Sequence, residues 1–302
     1  MAPAAAATAV MSIIGAGLRR DLATAAKRDP AVSAGGARWL GAWAALCVAA
    51  AAAWFFSGDY HSGFLTLNGL FAVLPASLWQ WLTVLGDERV SLTLALFLSR
   101  RHPRVFWALI CAALLAIAYA RGLKPLVDAA RPPAVLPAER LRLIGEAHAR
   151  HSFPSGHSVT AAVFFGVLAY YAQSLRWRLA FILLATAAGL SRVAVGVHWP
   201  VDVMAGLAGG AVAALVGVWL ARRSLWGIHD ERVHLTFVVL AAFAAVALLF
   251  DDGGYPAAAP LLGMLASLAL GWTALQYLLL PLMPGRSCGP QDSGSNDCTQ
   301  AD

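Results

Sequence analysis

Eight times along this chain the charged residues fall away over a segment approaching the length of a membrane crossing. A helix needs about 20 residues to traverse about 30 Å of hydrocarbon. Runs near that length cover residues 39–57, 88–99, 104–121, 158–173, 179–196, 201–221, 233–250 and 257–282, the second being short and expected to begin earlier. In lipid each peptide group has to be satisfied within its own segment, so such runs are expected to be helices. Composition supports this: only 13% of the 302 residues are charged and 60% are hydrophobic, where a soluble domain carries about 25% charged residues. With a mean hydropathy of +0.67, there are too few polar side chains to clothe a water-facing surface. The expected fold class is all-α, a multi-span transmembrane helical bundle.

The net charge of +6 does not imply nucleic acid, because basic residues beside apolar spans are topology determinants. Cys47 and Cys111 lie in apolar runs and Cys288 and Cys298 in a polar tail, with no metal-ligand spacing and no disulfide framework. The N-terminus has its arginines after the apolar stretch rather than before it, unlike a secretory signal, and is expected to be an uncleaved, loosely structured tail to about residue 37. The charged linker "ARRSLWGIHDER" sets the last two runs apart, and the Gly/Ser/Asp-rich end is expected to be disordered.

The stretch "FLTLNGLFAVLPASLWQWL", residues 64 to 82, could span but carries Asn68, Pro75, Ser77 and Gln80. If it lies in the interface, 14 of the 22 Lys and Arg fall on one side; if it spans, only 9 do. The positive-inside rule favours the first arrangement, so a surface-lying or re-entrant segment is expected. Both termini are then cytoplasmic, and the 122–157 loop and the turn at 197–200 emerge together on the opposite face. Arg89, Arg121, Lys124, Arg131, Arg140, Arg142, Arg150 and Arg192 are left there against the charge trend, which asks for a local anion.

Three polar clusters sit on that face: "KPLVDAARP", "SFPSGHS" and "SRVAVGVHWPVD". Each has a plain structural reading. Lys124 and Arg131 can snorkel from a helix end, Ser155 can be an N-cap, and Asp202 can complement a first turn opened by Pro200. Together they do more. Three cations (Lys124, Arg131, Arg192) and the free N–H groups of a helix beginning at Ser155 and Gly156 make a phosphate cradle. Neither a GxGxxG nor a GxxxxGK[ST] stretch is present, and Asp202 and Asp128 are the only acids in the clusters, too few for a divalent-metal site. Phosphoryl transfer without metal needs a nucleophile, a group to orient it, charge stabilisation and a leaving-group acid. His198 and Asp202, four residues apart at a helix start, suit an oriented nucleophile, and His157 remains for the acid. No cofactor and no metal are expected.

The three clusters match K-x6-R-P, PSGH and S-R-x5-H-x3-D, and together resemble the type 2 phosphatidic acid phosphatase superfamily, which includes lipid phosphate phosphatases and, more distantly, soluble vanadium haloperoxidases. The motifs run from Lys124 to Asp202, and the likeness of the helical frame extends over about residues 39–221. The resemblance implies that Lys124, Arg131 and Arg192 bind phosphate oxygens with Ser155 and Gly156, that His157 protonates the leaving group, and that His198 becomes a phosphohistidine oriented by Asp202. It implies a six-helix phosphatase core, placed at 38–221; a cytoplasmic tail at 1–37, two additional transmembrane helices at 222–283 and a disordered tail at 284–302 are expected outside it. The loop after Arg131 adds Arg140, Arg142, His148, Arg150 and His151, expected to meet anionic headgroups in preference to a second phosphate or glycan.

The expected function is metal-independent dephosphorylation of a lipid-linked phosphate or pyrophosphate at the outer leaflet, in a bacterium the periplasmic face of the inner membrane. Undecaprenyl pyrophosphate, phosphatidylglycerophosphate, phosphatidate and lipid A phosphate are all candidates. The alternatives are a lipid phosphotransferase using the same intermediate and a non-catalytic lipid-phosphate transporter. A transporter gains nothing from the His198–Asp202 pair or from His157, and internal repeats are not seen. The expected partners are the lipid substrate and membrane lipids, with no nucleic acid.

Overall fold

The computed structural model describes residues 15–24, 27 and 35–282, and among these there is no β-strand. The main helices are α1 (Gly36–Ser57), α2 (Phe64–Phe71), α3 (Ala76–Val84), α4 (Glu88–Ser99), α5 (Pro103–Val127), α6 (Gly156–Tyr171), α7 (Leu175–Ala194), α8 (Pro200–Arg223), α9 (Glu231–Ala247) and α10 (Ala259–Ala274). Their starts are written locally. Pro103 and Pro200 occupy first-turn positions, where a missing N–H costs nothing. The Asp87 and Asp230 carboxylates cap α4 and α9, accepting from Arg89 N at 2.7 Å and Arg232 N at 2.8 Å.

Helix α8 is the centre, packed against α1, α5 and α6, with α7 alongside α6. The contact faces are alanine-rich: Ala108 and Ala112 of α5, Ala161 and Ala162 of α6, and Ala211 and Ala214 of α8 are fully buried. Between helices in lipid the hydrophobic effect is absent, and small side chains gain close backbone packing instead. At Gly206 of α8 a Cβ would stand 2.7 Å from the Ser155 carbonyl oxygen, so glycine there lets the first turn of α6 seat directly on α8. Helices α9 and α10 pack on each other and on α4.

All eight expected runs are helical, but among the described residues five helical stretches are long and apolar enough to cross a membrane: Gly36–Ser57, Pro103–Val135, Leu175–Ala194, Pro200–Arg223 and Pro256–Leu282. Helices α4, α6 and α9 have 12, 16 and 17 residues. They are short for a local reason: α6 cannot start before its cap at Ser155, and α4 runs only from Asp87 to the Arg100–Arg101 pair.

The 64–82 stretch is broken into α2 and α3, neither of spanning length, with the break just before Pro75, where a helical residue is disfavoured. Buried Asn68 donates to Arg142 O at 3.0 Å and Val193 O at 2.9 Å, which ties α2 to the end of α7. The N-terminal expectation is narrowed: residues 15–24 are helical, Leu18 and Leu22 are buried in the core, Arg19 pairs with Glu231 at 3.4 Å, and Asp21 pairs with Arg100 at 2.6 Å. The expected tail at 284–302, with Cys288 and Cys298, lies outside the described residues.

Candidate active site

Three helix ends meet at one end of the bundle. Ser155 caps α6, its Oγ accepting from Ser158 N at 3.4 Å, and Gly156 and His157 form the first turn, both half-buried. Lys124, in the last turn of α5, brings its ammonium over that turn, 3.7 Å from where a Cβ on Gly156 would lie. Arg131 follows, its backbone N–H donating to Ala149 O at 2.9 Å and its Nε to Arg150 O at 2.9 Å.

The α7–α8 corner supplies the rest. Residues 191–203 are buried without a break, and the N–H groups of Val197 and His198 donate back to Arg192 O at 3.1 and 3.3 Å. This turn places Arg192 and His198 on the same corner. Trp199 caps α8 and its indole donates to Ala130 O at 2.8 Å, which joins the corner to the segment bearing Arg131.

Asp202 organises the centre. Its Oδ2 accepts from Trp199 N at 3.0 Å and from the Ser152 hydroxyl, and lies 3.3 Å from His198 Nδ1; its Oδ1 accepts from the Tyr60 hydroxyl. A carboxylate that only accepts requires the proton of His198 on Nδ1, leaving Nε2 with a free lone pair. Burial first, and then the charges of Arg131, Arg192 and Lys124, hold the His198 imidazolium well below the usual histidine range, so the ring is neutral near pH 7. Burial and the Asp202 charge push the Tyr60 phenol up, keeping it a donor.

Arg192 is almost fully buried. Its Nη1 donates to Thr83 Oγ1 at 2.6 Å and Tyr255 OH at 2.7 Å, while its Nε is buried with no partner. A cavity of about 650 Å³ opens from Lys124, Gly156 and His157 and runs between α4, α5 and α6 over Leu92, Ala113, Ile117 and Phe164, with Glu88, Arg89 and Arg121 on its wall.

All eight residues singled out from sequence thus lie around one centre. Asp128 does not: its carboxylate turns outward to His151, 3.3 Å away. Arg142 departs from the headgroup expectation, because its guanidinium donates to Phe71 O at 3.2 Å and Leu74 O at 3.4 Å, closing the end of α2. Tyr60, Ser152, Thr83 and Tyr255 were not singled out. Ser152 adjoins the PSGH stretch, while the others sit far from the motifs in sequence and carry no local signal.

Residues 104–226 match the family model of the PAP2 superfamily. Over 75 residues the chain is 48% identical to a lipid A 1-phosphatase of Rhizobium etli, covering 24% of this chain and 32% of that protein. A lipid A 1-phosphatase of Rhizobium johnstonii is 51% identical over 65 residues, covering 22% and 26%. The matches span about a third of those relatives at most. The crystal structure of Aquifex aeolicus LpxE superposes with a TM-score of 0.47 at 25% identity, covering 51% of this chain and 94% of that one.

Proposed function

We propose that this protein is a membrane lipid phosphatase that removes phosphate from a lipid-linked phosphomonoester or pyrophosphate without a metal, through a phosphohistidine at His198. The observation that carries the reading is the His198 imidazole 3.3 Å from the Asp202 carboxylate, on one corner with Arg192 and joined through the Ser155–Asp202 hydrogen bond to the helix start that Lys124 overlies. A binding site for lipid phosphate needs the cations but has no use for an oriented nucleophile.

In this reading, Lys124, Arg131, Arg192 and the first N–H groups of α6 hold the non-bridging oxygens and stabilise the charge of the five-coordinate transition state. His198 Nε2 attacks phosphorus while the bond to the leaving oxygen breaks. His157, on the wall of the cavity that continues toward α4 and α5, gives that oxygen a proton; burial and the same cations disfavour its imidazolium, so the charge of the bound phosphate has to favour the protonated ring. Water then attacks the phosphohistidine with neutral His157 taking its proton, and phosphate leaves with His198 restored. The apolar end of the cavity suits a hydrocarbon chain. Lipid A 1-phosphate, the substrate named for the two rhizobial relatives, stands beside undecaprenyl pyrophosphate, phosphatidylglycerophosphate and phosphatidate as a candidate.

The site faces away from the cytoplasm in this reading, supported by the fourteen basic residues placed on the other side. The test is phosphate release by the purified protein across those four lipids in the presence of EDTA. Release from at least one, inhibited by orthovanadate, is expected; activity that vanishes in EDTA and returns with Mg²⁺ would overturn the metal-free mechanism.

A further inference from the structure

The PAP2 match ends at residue 226, before α9 and α10 begin. We propose that the connection between those two helices completes the reaction centre: Tyr255 is a positioning residue that fixes the guanidinium of Arg192, so the C-terminal helix pair is a working part of the phosphate site. The proposal rests on the phosphoryl-transfer reading above.

Arg192 Nη1 carries two hydrogens, and two hydroxyl oxygens from separate elements take them: Thr83 of α3 at 2.6 Å and Tyr255 at 2.7 Å. With both hydrogens of one nitrogen directed, the plane of the fork is set. Thr83, Tyr255 and Arg192 are all buried, so losing either acceptor leaves a buried N–H of the cation at a cost. The guanidinium carbon lies 5.9 Å from the centroid of the Tyr255 ring, so the same residue also sets its aromatic face near the cation. Nε, buried and unpartnered, is left for an oxyanion of the substrate.

Tyr255 is itself held from two sides. Gly253 and Gly254, at φ +67° and +82°, turn the chain as a side chain there could not without strain, and the carboxylates of Asp251 and Asp252 accept their N–H groups at 2.7 and 2.9 Å. Toward α4, Arg89 bridges Asp251 at 2.7 Å and Asp87 at 3.0 Å. Toward α3, the Trp81 indole donates to Ala257 O at 2.8 Å, and Ala257 N donates to Gln80 Oε1 at 2.9 Å. A helix pair that only thickened the bundle would need none of these polar ties at its turn. They hold the tyrosine, and through it the arginine, to the element that also carries Thr83.

Full-length protein in detergent tests this. Tyr255→Phe removes one oxygen and leaves a buried N–H of a cation unpaired, which is expected to lower kcat by about 10- to 100-fold with KM within about threefold. Vanadate binding should weaken by a similar factor. If the tyrosine acts through Arg192, then in an Arg192→Lys background Tyr255→Phe should add less than about twofold. Tyr277→Phe is the matched control. Its hydroxyl is equally buried, bonded to His234 Nε2 at 2.7 Å and Ser99 Oγ at 3.1 Å, and its loss should leave kcat unchanged even where Tm falls. Wild-type kcat and vanadate affinity in Tyr255→Phe, losses that multiply in the Arg192→Lys background, or an equal loss in Tyr277→Phe would each overturn the proposal. Should the wild type release phosphate from none of the lipids, the phosphatase reading fails, while vanadate binding still decides the positioning: equal affinity in wild type and Tyr255→Phe, or no binding to either, rejects it.

Discussion

Replacing Asp202 by asparagine removes one charge and almost no volume. Four donors converge on this carboxylate: Tyr60 on Oδ1, and Trp199 N at 3.0 Å, the Ser152 hydroxyl and His198 Nδ1 at 3.3 Å on Oδ2. With its amide oxygen in the place of Oδ2, asparagine still serves those three, and its NH₂ faces Tyr60, whose hydroxyl can rotate to accept. The fold is therefore kept, and Tm should stay within a few degrees. The chemistry changes. In the proposed mechanism Nε2 bonds to phosphorus and the ring becomes cationic, and a carboxylate 3.3 Å away is then worth about 5 kcal/mol at an effective dielectric of about 20. A neutral hydrogen bond recovers about 1 kcal/mol, so the net loss is about 4 kcal/mol, or about 10³-fold in the chemical step. Single-turnover phosphate release, with acid-labile phosphoenzyme measured after rapid quench, reads it directly. A loss below about 10-fold, with substrate binding intact, would show that Asp202 does not stabilise a cationic histidine.

Further outcomes separate the remaining roles. His157→Ala should fail on an alkyl phosphomonoester yet retain much of its activity on an activated aryl phosphate, whose leaving oxygen needs no proton, whereas His198→Ala should be dead on both; the opposite pattern would exchange the two roles. Because burial and three cations hold His198 below the ordinary value of about 6.5, kcat/KM should fall on the acid side only below that pH. Arg131→Gln removes one repelling charge and should move the acid limb to higher pH; a limb that stays in place excludes His198 as its source. Arg142→Ala frees the carbonyls of Phe71 and Leu74 and should lower stability by about 1–2 kcal/mol, leaving kcat within about twofold, as thermal melts and turnover can check. A single cysteine at Ala138, in a background without native cysteines, should react with an impermeant reagent in intact cells; reaction only after permeabilisation would reverse the proposed orientation.

Local chemistry written in consecutive residues was legible in the sequence. The cap at Ser155, the proline start of α8 and the four-residue step from His198 to Asp202 all follow from neighbours in the chain. The supports of those groups were not legible. Tyr60 reaches Asp202 across 142 positions, Thr83 reaches Arg192 across 109 and Tyr255 across 63, pairings set by how helices pack and marked by no periodicity. Apolar runs revealed where helices lie but not how far they extend, because the length of α6 is fixed by a cap belonging to the site. Arginine patterns misled for a related reason: Arg142 looks like a headgroup contact until its carbonyl partners on α2 are known.

Asp202 has one further connection. Its side chain orients His198, while its main-chain oxygen accepts the N–H of Ser155 at 3.1 Å, so one residue joins the proposed nucleophile to the cap of the helix proposed to cradle phosphate. On the proposed mechanism, the direction of attack is therefore settled when the chain folds and is not reassembled for each lipid. This divides the molecule into parts that can diverge at different rates. On the proposed reading, exchanging side chains along the cavity, such as Leu92, Ile117 and Phe164, is expected to change the tail or headgroup admitted and to leave the reacting atoms in place. A change at residue 202 reaches both halves of the reaction at once. Substitutions along the cavity are therefore expected to change substrate range more readily than the proposed reaction.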